Sequence, residues 1–257
     1  MAARTQWLIA FLVITGIIAA TTLLITPRPP SLAELFPSGQ IRVGVDPSYA
    51  PFAFYIGDDI QGLDIDLAWA IGNDLGIPVR LVALGFDGLY DALITDQVDV
   101  LISALPIEVS RLDRVIYTNP YFNAGLVLVS PHDSPILSMR DLAGLRLAYE
   151  YGSTAHTEVN RWLRRIRPFV SQPYELESYA LDAVRLGDAD AALVDAISAG
   201  LYARDHAEWT IQQAQVTDLL YAAAVRADYP ARVTVLNESI KRLFERGELQ
   251  QIIARWL

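Results

Sequence analysis

Apolar residues recur along this chain at two spacings, and their alternation predicts the elements. Ile41-Arg42-Val43-Gly44-Val45 reads as a strand. Over residues 64–75, Leu67, Ala68, Ile71 and Leu75 fall at helical spacing, and Gly76 supplies a stop signal. Residues 79–83 read as the next strand, and Asp87 as the N-cap of a helix bearing Leu89, Leu93 and Ile94. Further strands are expected at 98–103, 126–129, 145–149 and 191–194. Helices are expected from Gly152-Ser153-Thr154 through Trp162, from a Ser178 cap to Gly187, and from an Asp195 cap. Two more close the chain, at 236–244 and 249–256. Strands alternating with helices predict an α/β architecture with mainly parallel sheets and right-handed crossovers.

The amino-terminal pattern is different. An apolar run covers residues 7–25, with Arg4 as the only charge before it, and breaks at Thr26, Pro27, Arg28, Pro29 and Pro30. At ~1.5 Å per residue it approaches the ~30 Å hydrocarbon core of a bilayer. Residues 1–30 are therefore expected to be an uncleaved signal-anchor or, alternatively, a signal peptide. Ala19-Ala20-Thr21 offers a cleavage point, although Leu23, Leu24 and Ile25 prolong the run beyond it. The positive flank holds that end in the cytoplasm, and the remaining chain is expected outside the membrane, in the periplasm or at the cell surface.

Composition narrows the class. With 257 residues, 53% of them apolar, and Gly and Pro scattered rather than repeated, the chain is neither disordered nor collagen-like. A formal net charge of −10 argues against nucleic acid as a partner. The absence of cysteine excludes disulfides, thiolate nucleophiles and Cys-ligated metals.

In α/β folds ligands bind beyond the carboxyl ends of the strands. Those positions hold no Gly-rich phosphate loop, no Gly-x-Ser-x-Gly elbow and no His-Glu-x-x-His helix, and His132, His156 and His206 lie far apart. No metal or cofactor is expected. What they hold is Asp46, Tyr49, Phe86, Arg111, Glu150, Ser153, Thr154 and Asp195. A free α-amino acid needs a planar cation for its carboxylate, which Arg111 offers, and an anion for its ammonium, which Asp195 offers. Ser153 and Thr154 at a helix N-terminus add donors for an anion. Tyr49 and Phe86 offer flat walls for a side chain. Plainer readings stand beside these: Tyr49 and Phe86 as core aromatics, Asp195 as a helix cap, Glu150 as a solvent-facing acid, and Asp64 and Asp66 as structural acids of a first helical turn.

The ordered series of motifs resembles the polar amino-acid family of periplasmic solute-binding proteins, the receptors of ABC importers. The series runs Ile41-Arg42-Val43-Gly44-Val45-Asp46, Tyr49-Ala50-Pro51-Phe52, Gly62-Leu63-Asp64-Ile65-Asp66-Leu67, Phe86-Asp87-Gly88-Leu89 and Val98-Asp99-Val100, leading to Arg111. It continues with Tyr117-Thr118-Asn119-Pro120-Tyr121-Phe122, Asp141-Leu142-Ala143-Gly144, Tyr151-Gly152-Ser153-Thr154 and Asp190-Ala191-Ala192. The resemblance implies a two-lobed periplasmic-binding-protein fold (type II) with hinge crossovers near 121–125 and 218–222. Lobe 1 would take 31–123 plus 221–257, and lobe 2 would take 124–220. It assigns Arg111 to the ligand carboxylate, Asp195 to the ammonium, Tyr49 and Phe86 to the aromatic walls, Asp46 to a side-chain contact, and Ser153 and Thr154 to carboxylate contacts from lobe 2. Pro106 stands where many members carry a Ser or Thr for the carboxylate, which shifts that duty to Ser103, the Ala104 backbone and Arg111.

The implied function is an amino-acid receptor without chemistry of its own, a monomer that presents its closed form to a membrane permease. The alternatives are a sensor ectodomain working with a membrane partner, and a cyclic amino-acid dehydratase with Glu150 as general acid. Asp46 and Glu150, added to Asp195, favour a basic ligand, arginine ahead of lysine or ornithine; a Glu150 that faces water, with a neutral pocket, would favour glutamine or a broad polar specificity instead.

Overall fold

The structure is a computed structural model that describes residues 28–257. The apolar segment 7–25, with the signal-anchor or signal-peptide expectation it carries, lies outside the described residues. Among the described residues no helix is long and apolar enough to cross a membrane. The chain divides into two units, residues 1–35 and 36–257. In the first, the described part forms one helical turn, Leu32–Leu35. Ser31 Oγ and N–H both donate to Glu34 Oε2, the reciprocal arrangement of a capping box.

The second unit carries the fold. β1 (Ile41–Val45) is followed by an antiparallel meander of β2 (Ser48–Tyr49), β3 (Ala53–Ile56) and β4 (Asp59–Gln61), then by α1 (Leu63–Leu75). β5 (Val79–Ala83), α2 (Leu89–Ile94), β6 (Val100–Leu101), β7 (Val115–Tyr117) and β8 (Phe122–Asn123) come next. The middle of the chain comprises β9 (Leu126–Pro131), β10 (Arg146–Glu150), α3 (Thr154–Trp162), β11 (Val170–Tyr174), α4 (Glu177–Arg185), β12 (Ala191–Asp195), α5 (Ala196–Asp205) and β13 (Ile211–Gln215). β14 (Leu220–Tyr221), β15 (Ala224–Arg226), α6 (Pro230–Glu245) and α7 (Glu248–Trp256) complete it.

Two five-stranded sheets result, ordered β5-β1-β6-β15-β7 and β11-β10-β12-β9-β13. Each is built the same way. Three strands run parallel, and the fourth position is taken by an antiparallel strand that enters straight after the chain has passed between the sheets. The expectation of mainly parallel sheets is therefore corrected: β15 and β9 each pair antiparallel on both sides. A strand that arrives from the connecting ribbon enters its sheet from the end opposite to the βα units and must run against them.

That ribbon is β8 paired antiparallel with β14, Phe122 opposite Tyr221 and Asn123 opposite Leu220. It is locked by side chains: Asn123 Nδ2 donates to Asp218 Oδ1 at 2.7 Å, while its Oδ1 accepts from the Gly125 and Leu219 N–H groups. At Gly125 any Cβ would lie 1.9 Å from the Thr217 carbonyl oxygen, so only glycine lets the two strands approach this closely.

The core follows the period-two rule. On β9, Leu126 and Leu128 face one cluster with Leu142, Leu147 and Leu193, while Val127 and Val129 face the other with Leu181, Val184 and Val194. Both faces are covered by helices, which is why β12 reads as a continuous apolar run. In the first sheet Asp99, 1% exposed, binds the Arg42 guanidinium at 2.9 Å and Arg232 at 3.1 Å, tying β1 to α6. Two expected caps are corrected. The helix after Asp87 begins with a 3₁₀ turn, Phe86–Gly88, and has Gly88 at its N-cap. α4 begins one residue before Ser178 and has no side-chain cap.

Candidate functional site

The carboxyl ends of β1 and β6 and the ribbon enclose a hollow of about 240 Å³, lined by Asp46, Tyr49, Phe52, Ala53, Asp64, Phe86, Ser103, Ala104, Pro106, Leu219 and Tyr221. Its walls are aromatic. Tyr49 stacks on Phe52 with ring centroids 5.5 Å apart, and Phe52 meets Tyr221 edge-on at 5.3 Å. Tyr49 and Phe86 are each 45% exposed and so are not core residues. The Ser103 hydroxyl accepts the Asp46 N–H at 2.9 Å, joining the ends of the two strands.

The floor is less open than the sequence implies. Ala104 sits at φ 44°, and its N–H donates to Asp64 Oδ2 at 2.7 Å and to the Tyr121 hydroxyl at 3.1 Å. That donor is consumed inside the protein. Pro106 bridges to Tyr221, with the Ile107 N–H donating to the Leu220 carbonyl. The Ala104 N–H and Pro106 thus offer no free donor to this hollow, and the Ser103 hydroxyl remains beside them. Arg111 lines neither this hollow nor the next. Its Nε donates to Glu108 Oε2 at 2.9 Å, and its guanidinium carbon lies 3.9 Å over the Tyr90 ring.

A second hollow, about 490 Å³, shares Tyr49, Leu219 and Tyr221 with the first and opens onto the other sheet. α3 presents Thr154, Thr157, Glu158 and Arg161 to it, positions that share one helical face. Glu158 is 7% exposed and paired with Arg161. Asp195 completes this wall. It ends β12, and its Oδ1 caps α5 by accepting the Ser198 N–H at 2.6 Å. Ser153 caps α3 by accepting the His156 N–H and donates to the Glu150 carbonyl, so its polar atoms are engaged.

Asp46, Tyr49, Phe86, Ser103 and Ala104 are thus brought together in one hollow, and Thr154 and Asp195 in its neighbour. Glu150 is not with them: it lines a third hollow, of about 380 Å³, with Glu177, Ser198 and Tyr202. Sequence reasoning passed over Thr157, Glu158 and Arg161, although their spacing from Thr154 was the available signal. It also passed over Glu177, whose preceding strand, Val-Ser-Gln-Pro-Tyr, shows no apolar alternation.

Asp64 is the most perturbed acid of the site. Complete burial pushes its carboxyl up to about 7, against the pull of the Tyr121 hydroxyl, at 2.7 Å, and the Ala104 N–H. Tyr121 is in turn raised well above the usual phenol range by burial and by the Asp64 charge.

Residues 41–257 match the family model of bacterial extracellular solute-binding proteins, family 3. The arginine-binding extracellular protein ArtP of Bacillus subtilis (strain 168) is 27% identical over 220 residues, 84% of this chain and 86% of that one. Among solved structures, an ancestral cationic amino acid solute binding protein, AncCDT-1, is 28% identical with a TM-score of 0.62, covering 88% of this chain and 99% of its own. The unliganded, open L-cystine solute receptor of Neisseria gonorrhoeae shares the fold, with a TM-score of 0.72 at 21% identity over 88% of this chain and 96% of its own.

Proposed function

Because this chain belongs to the bacterial extracellular solute-binding proteins, family 3, we propose that it is an extracytoplasmic receptor that captures a basic L-amino acid and delivers it to an ABC permease. The observation that carries the basic ligand is the charge of the two hollows. Asp46, Asp195 and Asp218 line them without an ion pair among the described residues. Glu158 is paired with Arg161, the one basic residue among the described lining, and the buried Asp64 holds its proton up to about pH 7. An unpaired carboxylate in such a wall is stabilised by a cation, and the Tyr49 and Phe86 faces add about 0.5–2 kcal/mol of cation–π attraction. The names of the arginine-binding relative and the ancestral cationic amino-acid binder agree with this reading.

In this reading the first lobe runs to about residue 123 and resumes at about 221, and the ligand is held from both sides. Asp195 and Thr154 take its zwitterionic end together with Arg111, which reaches the ligand when the lobes close. Ligand contacts with both lobes then drive the hinge toward the closed form. The protein works as a monomer, and residues 7–25 tether it to the membrane or direct its export. No bond-making step is assigned, since Glu150, the acid that a dehydratase would need, lines neither cleft hollow.

Calorimetric competition tests the proposal. Full-length protein is expected to bind one arginine and to rank it at least about tenfold, 1.4 kcal/mol, above glutamine. A preference for glutamate or aspartate overturns the basic-ligand assignment, and no binding of any amino acid overturns the receptor.

A further inference from the structure

Asp195 is held from behind by a residue on a different helix. In a capping box the third helical residue reaches back to the N-cap N–H. Ser198 occupies that third position of α5, yet the Asp195 N–H donates instead to Glu177 Oε1 at 3.1 Å, from the first turn of α4. Ser198 lines the same hollow as Glu177. The next N–H, of Ala196, donates to the Gly125 carbonyl beside the ribbon. The turn that presents Asp195 to the second hollow is therefore pinned on one side by Glu177 and on the other by the ribbon. Asp195 Oδ1 is spent on the helix cap. Oδ2 accepts no hydrogen bond from the described residues.

We propose that Glu177 is a positioning residue for ligand capture: it fixes the β12–α5 turn so that Asp195 keeps one oxygen for the ligand's ammonium, and its charge strengthens that capture. The inference rests on the receptor reading above. Glu177 faces Asp195 across the turn, shares the third hollow with Glu150, Tyr202 and Asp205, and has Arg185 at the far end of its own helix, where Asp182 and Tyr202 engage it. Burial raises the Glu177 carboxyl above its ordinary value; the Ser198 hydroxyl draws it down, and Asp195 and Glu150 push it up. A bound ammonium offsets that repulsion and favours the ionised form, so capture releases a proton and weakens as the pH falls.

The test is titration of full-length wild type, Glu177→Ala and Glu177→Gln with L-arginine as the probe, at pH 7.5 and pH 5. Glutamine retains an Oε1 that accepts the Asp195 N–H, but not the charge. At pH 7.5 Glu177→Ala is expected to lose about tenfold in affinity, and Glu177→Gln to recover most of it. Wild-type affinity is expected to fall between pH 7.5 and pH 5 more steeply than that of Glu177→Gln. If Glu177→Ala does not fold, the pH comparison of wild type with Glu177→Gln decides alone. Equal affinity in wild type and Glu177→Ala, or the same pH slope in wild type and Glu177→Gln, overturns the inference while leaving the receptor standing. A wild type that binds no amino acid overturns both.

Discussion

Replacing Asp64 with asparagine isolates the cost of a buried charge. Asp64 is 0% exposed, and it meets the Ala104 N–H and the Tyr121 hydroxyl, each at 2.7 Å. Both partners tolerate an amide. Its oxygen accepts from Ala104, and its NH₂ donates to the Tyr121 hydroxyl, which can donate or accept. In the folded protein the carboxyl holds its proton up to about pH 7, against an ordinary value of 3.8. That is about three pH units, or about 4 kcal/mol at 1.4 kcal/mol per unit. Between those values the folded state binds a proton that the unfolded state has lost. The Asp64 contribution to stability is therefore full below about pH 4 and falls by about 1.4 kcal/mol per unit until the folded carboxyl ionises near pH 7. Urea unfolding of full-length wild type and Asp64→Asn at pH 5, 6, 7 and 8 reads the difference directly. The two curves are expected to diverge in favour of the variant by about 3 kcal/mol between pH 5 and pH 8. Parallel curves would refute the reasoning and mean that Asp64 is ionised and compensated in the folded state.

Four further outcomes follow from the same geometry. Asp99→Ala removes a carboxylate, 1% exposed, that pairs with both Arg42 and Arg232, and is expected to cost about 3–5 kcal/mol in chemical unfolding. Gly125→Ala would force a Cβ against the Thr217 carbonyl; a loss of about 3 kcal/mol in thermal or urea stability is expected, and wild-type stability would show that the ribbon yields. Asp195→Ala and Arg111→Ala are each expected to weaken arginine binding by about 2–5 kcal/mol, read by calorimetry. Saturating arginine is expected to reduce the radius of gyration of the wild type but not of Asp195→Ala in small-angle scattering.

Much of the site's skeleton was legible because it is local. Ala191-Ala192-Leu193-Val194 followed by Asp195 is a strand ending in a helix cap, and both roles are set within a few residues. The same holds for Ser153 at the head of α3 and for Gly76 closing α1 in the left-handed region. Their hydrogen bonds span three or four residues, which a linear pattern can show. Short edge and ribbon strands were not legible from the apolar pattern, and only the family resemblance pointed to crossovers near 121–125 and 218–222. β8 and β14 are two residues each, and their pairing joins residues about a hundred positions apart. Nothing in Phe122-Asn123 marks it as a strand until Leu220-Tyr221 lies beside it.

The sequence by itself determined the alternation of elements, the acidic balance, the absence of cysteine and which side chains stand just beyond the strand ends. Only the tertiary structure decided which of those ends meet. Asp64 reads as one more acid in a first helical turn, and the same pattern two residues on gives Asp66, which pairs with Arg255 at the surface. Asp64 differs because Ala104 and Tyr121, 40 and 57 residues away, close over it and exclude water. Glu150 and Glu177 were likewise set apart from Asp46: they line a hollow on the second sheet, whereas Asp46 follows β1 of the first. Charge and hydrogen-bonding capacity are written in the residue, but desolvation belongs to whatever the fold packs around it, and desolvation sets what a carboxyl group does.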